Sequence, residues 1–206
     1  MKKIINCIDE YKGVNKTTRY IDELEGIAIH RGGMDRETRV YLGTTGPEIT
    51  NEFIGRGDKY PELKQVTGGQ QPYTFFIGGS LKRGEHDGKI WQVAPLTDVT
   101  WHARKASYRY IGICMIGDYR NEEPTDAQWH SAVILSKVLC RWREWDPYKC
   151  IKGHGEIDGA HDGSKGPGKP AACPGDLWDM HIFRDDVARS IYNQNISALD
   201  DLNLQY

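Results

Sequence analysis

The sequence predicts a single α/β domain, a central mixed β-sheet flanked by helices. Three observations carry that expectation. Short runs rich in strand formers recur at Gly26–His30, Pro72–Ile77, Gly88–Val93 and Tyr110–Ile116. An apolar stripe at helical spacing follows them, made of Trp129, Ala132, Val133, Leu135, Val138, Leu139 and Trp142. No linker or repeat interrupts the 206 residues, so strands and helices interleave around one sheet.

Taken in order, residues 1–25 are polar and charged, with a short helix expected over Thr17–Leu24. Gly26-Ile27-Ala28-Ile29-His30 reads as a buried strand ending on a histidine. Arg31 to Gln71 is glycine-broken and polar, and should hold one or two short helices between loops. Pro72–Ile77 and Gly88–Val93 pair as a hairpin, and Tyr110–Ile116, apolar throughout, suits a central strand buried on both faces. Thr125 with Gln128 has the capping-box spacing and starts the main helix. Its tryptophans, Trp129 and Trp142, read as core rather than as sugar platforms. A last helix should begin after Pro174-Gly175 and run through Leu177, Ile182, Phe183 and Val187. The globular part is expected over about residues 20–195, with the tail from Ser197 loosely attached.

Composition narrows the function classes. With 38% hydrophobic and 27% charged residues the chain reads as globular, and a formal charge of −2 points to no nucleic-acid partner. The apolar run Ile4–Ile8 behind Met1-Lys2-Lys3 falls short of the roughly 7–15 residues of a signal-peptide core. No later segment approaches the roughly 18 apolar residues of a membrane helix. The expectation is a chain made in the cytoplasm without a signal peptide and without membrane insertion. Its five cysteines, odd in number and irregular in spacing, read as reduced thiols.

A catalytic zinc wants three ligands from His, Cys or carboxylate and an open position for water. His30 ends a strand, His154 follows the short apolar Cys150-Ile151, and Cys173 precedes a helix, so each sits where a rigid scaffold can present it. Taken singly, a strand-end histidine is more often an ordinary residue, and a cysteine more often a buried thiol. The order of several blocks carries more weight. Ile27-Ala28-Ile29-His30, Pro72-Tyr73-Thr74-Phe75-Phe76-Ile77, Trp101-His102-Ala103, Ile111-Gly112-Ile113-Cys114-Met115-Ile116-Gly117, Gly153-His154-Gly155-Glu156 and Cys173-Pro174-Gly175 follow one another. This series resembles the type-2 N-acetylmuramoyl-L-alanine amidases, the family that includes short phage endolysins and peptidoglycan-recognition proteins. The match spans roughly residues 26–187.

The resemblance implies one zinc per chain held by His30, His154 and Cys173, with Tyr73 beside it as the catalytic hydrogen-bond donor. It implies that Trp101 and His102 line a substrate groove and bind no metal. It also implies a cell-wall amidase acting as a monomer on bacterial peptidoglycan after release or delivery. Cys114 occupies a position where some relatives carry glutamate and phage members carry cysteine, which leans the likeness toward the phage branch. Three departures stand out. Arg31-Gly32-Gly33 follows the first histidine, where the family usually has another His or a small polar residue. Ala171 occupies the position of a catalytic lysine or threonine, with Lys169 two residues earlier, and Asp162–Pro170 forms an apparent insertion.

Other readings are open at this stage. A peptidoglycan-binding module without catalysis would keep the fold and lose the metal. A cysteine amidase would use Cys173 with His154 or His30 as nucleophile and base. His161 is the nearest competing ligand, while His86, His130 and His181 read as structural or solvated. Gly163-Ser164-Lys165-Gly166-Pro167-Gly168-Lys169 has phosphate-loop spacing, but Pro170 stands where the magnesium-binding Ser/Thr belongs.

Overall fold

A computed structural model describes residues 4–12, 14–15, 17–32, 45–59, 71–79, 84–157 and 173–193. Within them, β1 (Ile4–Asn6), β2 (Gly26–Gly32), β3 (Phe75–Ile77), β4 (Ile90–Gln92), β5 (Tyr110–Ile116) and β6 (Ile151–Gly153) form one sheet in the order β1-β4-β3-β5-β2-β6. Strands β3, β5, β2 and β6 run parallel to one another, β4 is antiparallel to β3, and β1 is parallel to β4. The sheet is therefore mixed, as expected. Strand β5 has the predicted bounds, and residues Ile111 to Ile116 are buried because β2 and β3 flank it on both sides.

Helices α1 (Gly46–Lys59), α2 (Asp126–Arg143), α3 (Pro147–Cys150) and α4 (Met180–Tyr192) complete the layers. Strand alternation divides the side chains. Ile27, Ile29, Phe75, Ile77, Ile111, Ile113 and Met115 share one core with Leu135 and Leu139 of α2 and Phe183 and Val187 of α4. On the opposite face Phe76, Trp91, Cys114 and Ile116 pack with Ile49 of α1. Beside them Ala28 packs with Ala103, Ala106 and Ile157. Trp129 and Trp142 pack against the larger core, and Trp129 Nε1 donates to Asp186 Oδ2 at 2.8 Å, so both serve the helical layer.

Several expectations are corrected. Ile4–Asn6 is a sheet strand paired with β4, ahead of the expected start of the globular part. Thr17–Leu24 is not a helix. Only the 3-10 turn Ile21–Glu23 forms, because Thr18 bridges to Asp98 and the buried Arg19 donates to the carbonyls of Leu96, Ser107 and Tyr110. Helix α4 starts later than predicted. Asp179 caps it by accepting from the backbone N–H of His181 and Ile182, and Leu177 lies in the preceding turn. The helix α1 lies in the stretch expected to hold short helices. The remainder of that stretch (33–44 and 60–70), His161, the segment 162–170 with Lys169, Ala171 and the tail from Ser197 lie outside the described residues. Among the described residues no helix is long and apolar enough to cross a membrane.

The capping box is half right. Thr125 Oγ1 accepts from Gln128 N–H at 3.1 Å, but the Gln128 amide does not turn back to the cap. It points into the sheet, donating to Ile77 O (3.0 Å) and Ile116 O (3.3 Å) and accepting from Tyr119 Oη (2.6 Å). Gln128 thus ties the ends of β3 and β5 to α2 from a fully buried position. Gln128→Leu should lower the unfolding free energy by roughly 2 kcal/mol, since it strands buried polar groups. Urea titration of both proteins reads this directly, and a loss below about 0.5 kcal/mol would show the network to be dispensable.

Candidate metal centre

The site is assembled at the carboxyl ends of parallel strands, where open α/β sheets tend to bind ligands. Strands β2 and β6 pair with Ile29 opposite Gly153, so the residues that follow, His30 and His154, emerge side by side. Their ring centroids are 4.5 Å apart. His154 begins the 3-10 turn His154–Glu156, whose last residue holds it in place. The Glu156 carboxylate accepts from Gly153 N–H at 2.7 Å and pairs with Arg184 of α4. Arg184 Nε in turn donates to Ile151 O at 2.8 Å, fixing the whole turn to the helical layer.

Cys173 is brought in from a distant part of the chain. Gly155 N–H donates to Cys173 O at 2.9 Å, and Arg31 N–H points at Cys173 Sγ at 3.3 Å. After it, Gly175 has φ +131°, and a Cβ there would lie 2.5 Å from Tyr119 O, so this turn requires glycine. His30 Nδ1 lies 4.0 Å from Cys173 Sγ, and one donor atom from each of His30, His154 and Cys173 falls within 4.8 Å of the others. Among the described residues this is the one such group of three His, Cys or carboxylate side chains. A tetrahedral zinc with bonds of roughly 2.0–2.3 Å separates its ligand atoms by about 3.4–3.7 Å. Two imidazoles and a thiol at this spacing fit zinc in size and in chemistry.

Around the triad stand the other predicted residues. The Tyr73 ring packs against His30 at a centroid distance of 4.9 Å and against Phe76 at 5.5 Å. The Trp101–His102 segment is held from below: Trp101 N–H donates to Gln71 O at 2.7 Å, and Gln71 is locked by Asn15. Trp101 is half-buried and stands next to His102 in sequence. His102 has both ring nitrogens within bonding distance of protein atoms, Nδ1 at 3.1 Å from His30 Nε2 and Nε2 at 3.0 Å from Tyr110 O. Burial and the nearby Arg19 guanidinium lower its pKa to about 3, so the ring is neutral. Of the competing histidines, the described His86, His130 and His181 lie outside the triad.

A family model described as N-acetylmuramoyl-L-alanine amidase matches residues 22–176, which include all six predicted site residues. The chain belongs to that family. No curated protein matches the chain. Among solved structures, the N-acetylmuramoyl-L-alanine amidase LysC from Clostridium intestinale URNW superposes with a TM-score of 0.57 at 20% identity, covering 91% of this chain and 99% of its own. The Ph2119 endolysin from the Thermus scotoductus MAT2119 bacteriophage Ph2119 gives 0.60 at 16% identity, covering 89% of this chain and 98% of its own. Drosophila PGRP-LB gives 0.53 at 19% identity, covering 96% and 99%. At these identities the likeness is one of fold.

Within this amidase fold, residues that sequence reasoning missed support the site. Glu156 sits three after Gly153, a capping spacing that could have marked the His154 turn. Arg19 carries no local signal. Asp118, two residues past the end of β5, binds Arg120 through two contacts of 2.6 Å and accepts from Asn121 Nδ2 at 2.9 Å. Arg31 approaches it at 3.8 Å and donates to Pro174 O at 3.3 Å. Asp118 therefore links the loop after β5 to the strand that carries His30.

The Arg120 guanidinium holds the Asp118 carboxyl below the usual carboxylate range, against the opposing effect of burial, with Asn121 and Arg31 adding to the shift. A depressed folded-state pKa means that the stabilisation is fully present above the unfolded value of about 3.9 and is lost as pH falls through the folded value. Asp118→Asn should thus be less stable than wild type at neutral pH by about 1–3 kcal/mol. The gap should close as pH falls below about 4. Unfolding titrations across pH test this, and a gap that stays constant into strong acid would remove the ionised carboxylate from the account.

Proposed function

We propose that this chain is a zinc-dependent hydrolase of the amide bond between N-acetylmuramic acid and L-alanine in bacterial peptidoglycan, working as a phage-type endolysin. The observation that carries the reading is the convergence of His30, His154 and Cys173 beside Tyr73. Family membership supports the bond, and the likeness of fold to an endolysin supports the setting. A chain of this kind acts as a monomer on the cell wall after release or delivery. A peptidoglycan-recognition protein of the same fold keeps a purely binding role in view, but three intact donor side chains at metal spacing favour catalysis.

His30, His154 and Cys173 would hold the zinc. When bound, zinc supplies Lewis-acid polarisation of a carbonyl and acidifies water enough to provide a nucleophile near neutral pH. The chain's own residues do the rest. Tyr73, packed against His30, donates its phenolic proton in a hydrogen bond to the amide oxygen as negative charge develops there. Trp101, half-buried and next in sequence to His102, offers a flat apolar wall for the sugar or the lactyl-peptide arm.

Mass spectrometry of digested peptidoglycan tests the bond. Digestion should release new L-alanine amino groups, leave the glycan strands intact, and stop when a chelator removes the metal. New reducing sugar ends without new amino groups would make the protein a glycosidase and overturn the reading. Binding without any cleavage by the zinc-loaded chain would favour the recognition module.

Tyr73→Phe removes a single hydroxyl and leaves all three metal donors. Zinc content should stay at one per chain while kcat falls on the order of 10²-fold, as for loss of one oxyanion donor. An unchanged kcat in the metal-loaded variant would exclude Tyr73 from the chemistry.

A further inference from the structure

For a neutral His102 ring, the hydrogen bonds that reach the triad leave one arrangement of protons. A carbonyl oxygen can only accept, so His102 Nε2, 3.0 Å from Tyr110 O, must carry a proton. The same carbonyl accepts from the buried Arg19 guanidinium at 3.0 Å, and that neighbouring charge disfavours a second cation on the ring. In the neutral ring Nδ1 then holds a lone pair, and it faces His30 Nε2 at 3.1 Å. Two lone pairs cannot share that contact, so His30 Nε2 carries the proton and donates. The bare nitrogen of His30 is then Nδ1, the one that faces Cys173 Sγ.

We propose that His102 is a positioning residue which holds His30 in the Nε2-protonated tautomer, so that His30 presents Nδ1 to the metal. This replaces the expectation that His102 contacts substrate, since its two ring nitrogens are committed to His30 and Tyr110. The inference rests on the reading of His30 as a zinc ligand. Partners of this kind orient a ligating imidazole and raise its basicity, and carboxylates or backbone carbonyls commonly fill the role. Here a second histidine fills it, and the Tyr110 carbonyl fixes that histidine in turn.

The surroundings are shaped for this ring. Ala28 and Gly112 face each other in register on β2 and β5, leaving a shallow seat on the sheet. A Cβ at Gly112 would lie 2.8 Å from both Cγ and Cδ2 of His102, so any side chain there would push the ring off. From above, Ser107 Oγ accepts from the backbone N–H of His102 at 3.3 Å and of Ala103 at 2.9 Å. Backbone and seat together set the ring's place before any metal arrives.

Two measurements on the full chain test the proposal. Long-range 1H–15N NMR of the histidine-labelled wild type should show His30 with Nε2 protonated in the zinc-free chain, and Nδ1 as the coordinating nitrogen once zinc is added. Competition with a chromophoric chelator should show zinc affinity falling about 10–100-fold in His102→Phe. Most of that affinity should return in His102→Gln, whose amide can offer oxygen to His30 and N–H to Tyr110 O. An Nδ1-protonated His30 in the wild type, or wild-type zinc affinity in a folded His102→Phe, would overturn it. If His102→Phe fails to fold, the wild-type tautomer decides alone. If the wild type binds no zinc, the hydrolase reading falls, while the zinc-free tautomer still reports on the hydrogen-bonded pair.

Discussion

The site depends on one register. Pairing of β2 with β6 sets Ile29 opposite Gly153, and because the two strands are parallel the next residue of each lies at the same end of the sheet, His30 still within β2 and His154 just past β6. His30 and His154 become neighbours although more than a hundred residues separate them. A slip of one residue would turn His30 toward the helical layer and carry Ile27 and Ile29 out of it to the opposite face. The hydrophobic cost of exposing that isoleucine set therefore protects the metal geometry. At roughly 1.5–3 kcal/mol for each large aliphatic side chain, a few such residues outweigh any single polar contact in the site.

The two faces of the sheet divide the labour. One is filled by large side chains against α2 and α4, where Trp129, Trp178 and Phe183 meet in tilted and edge-on contacts with centroids 4.9–5.4 Å apart. The other is built on small residues near β2 and β5, with Ala28, Gly112, Ala103 and Ala106 leaving room for rings rather than filling it. Polar groups on this face are tied down by unusually deep donors. Arg19, 5% exposed, spends its guanidinium on three main-chain carbonyls, and burial lowers its pKa to about 10. Such a buried cation is tolerated because its hydrogen bonds replace much of the lost hydration.

What the sequence disclosed follows from how locally each feature is determined. Strand β5 and the start of α2 are set by residues adjacent in the chain, apolar continuity in one case and Thr125 in the other, and both were legible. The triad was legible through block order, because each donor carries its neighbours' pattern with it, although β2 runs on past His30 to Gly32 rather than ending there. Strand β1 was not, since Ile4–Asn6 is a three-residue edge strand recognisable only from its pairing with β4. The helix expected at Thr17–Leu24 failed for a similar reason: local propensity lost to the long-range bonds of Arg19. The roles of Gln128 and His102 were hidden because each depends on carbonyls distant in sequence or on a ring brought close only by the sheet.

The thiols show how far position outranks residue type. Cys114 lies directly opposite His30 on the adjacent strand and belongs to the family-like block, so register alone would make it a candidate donor. It is fully buried, packs with Phe76 and Ile116, and its Sγ sits where a Cβ on Gly32 would clash at 2.6 Å. Burial first, and the neighbouring Cys173 second, push its thiol well above the ordinary range. A thiol so placed stays protonated and serves as packing. Cys173 is half-buried, and the Arg31 N–H is aimed at its sulfur at 3.3 Å. Of two sulfurs near one imidazole, the half-buried one met by a backbone N–H stands with the two histidines, and the other is enclosed in the core.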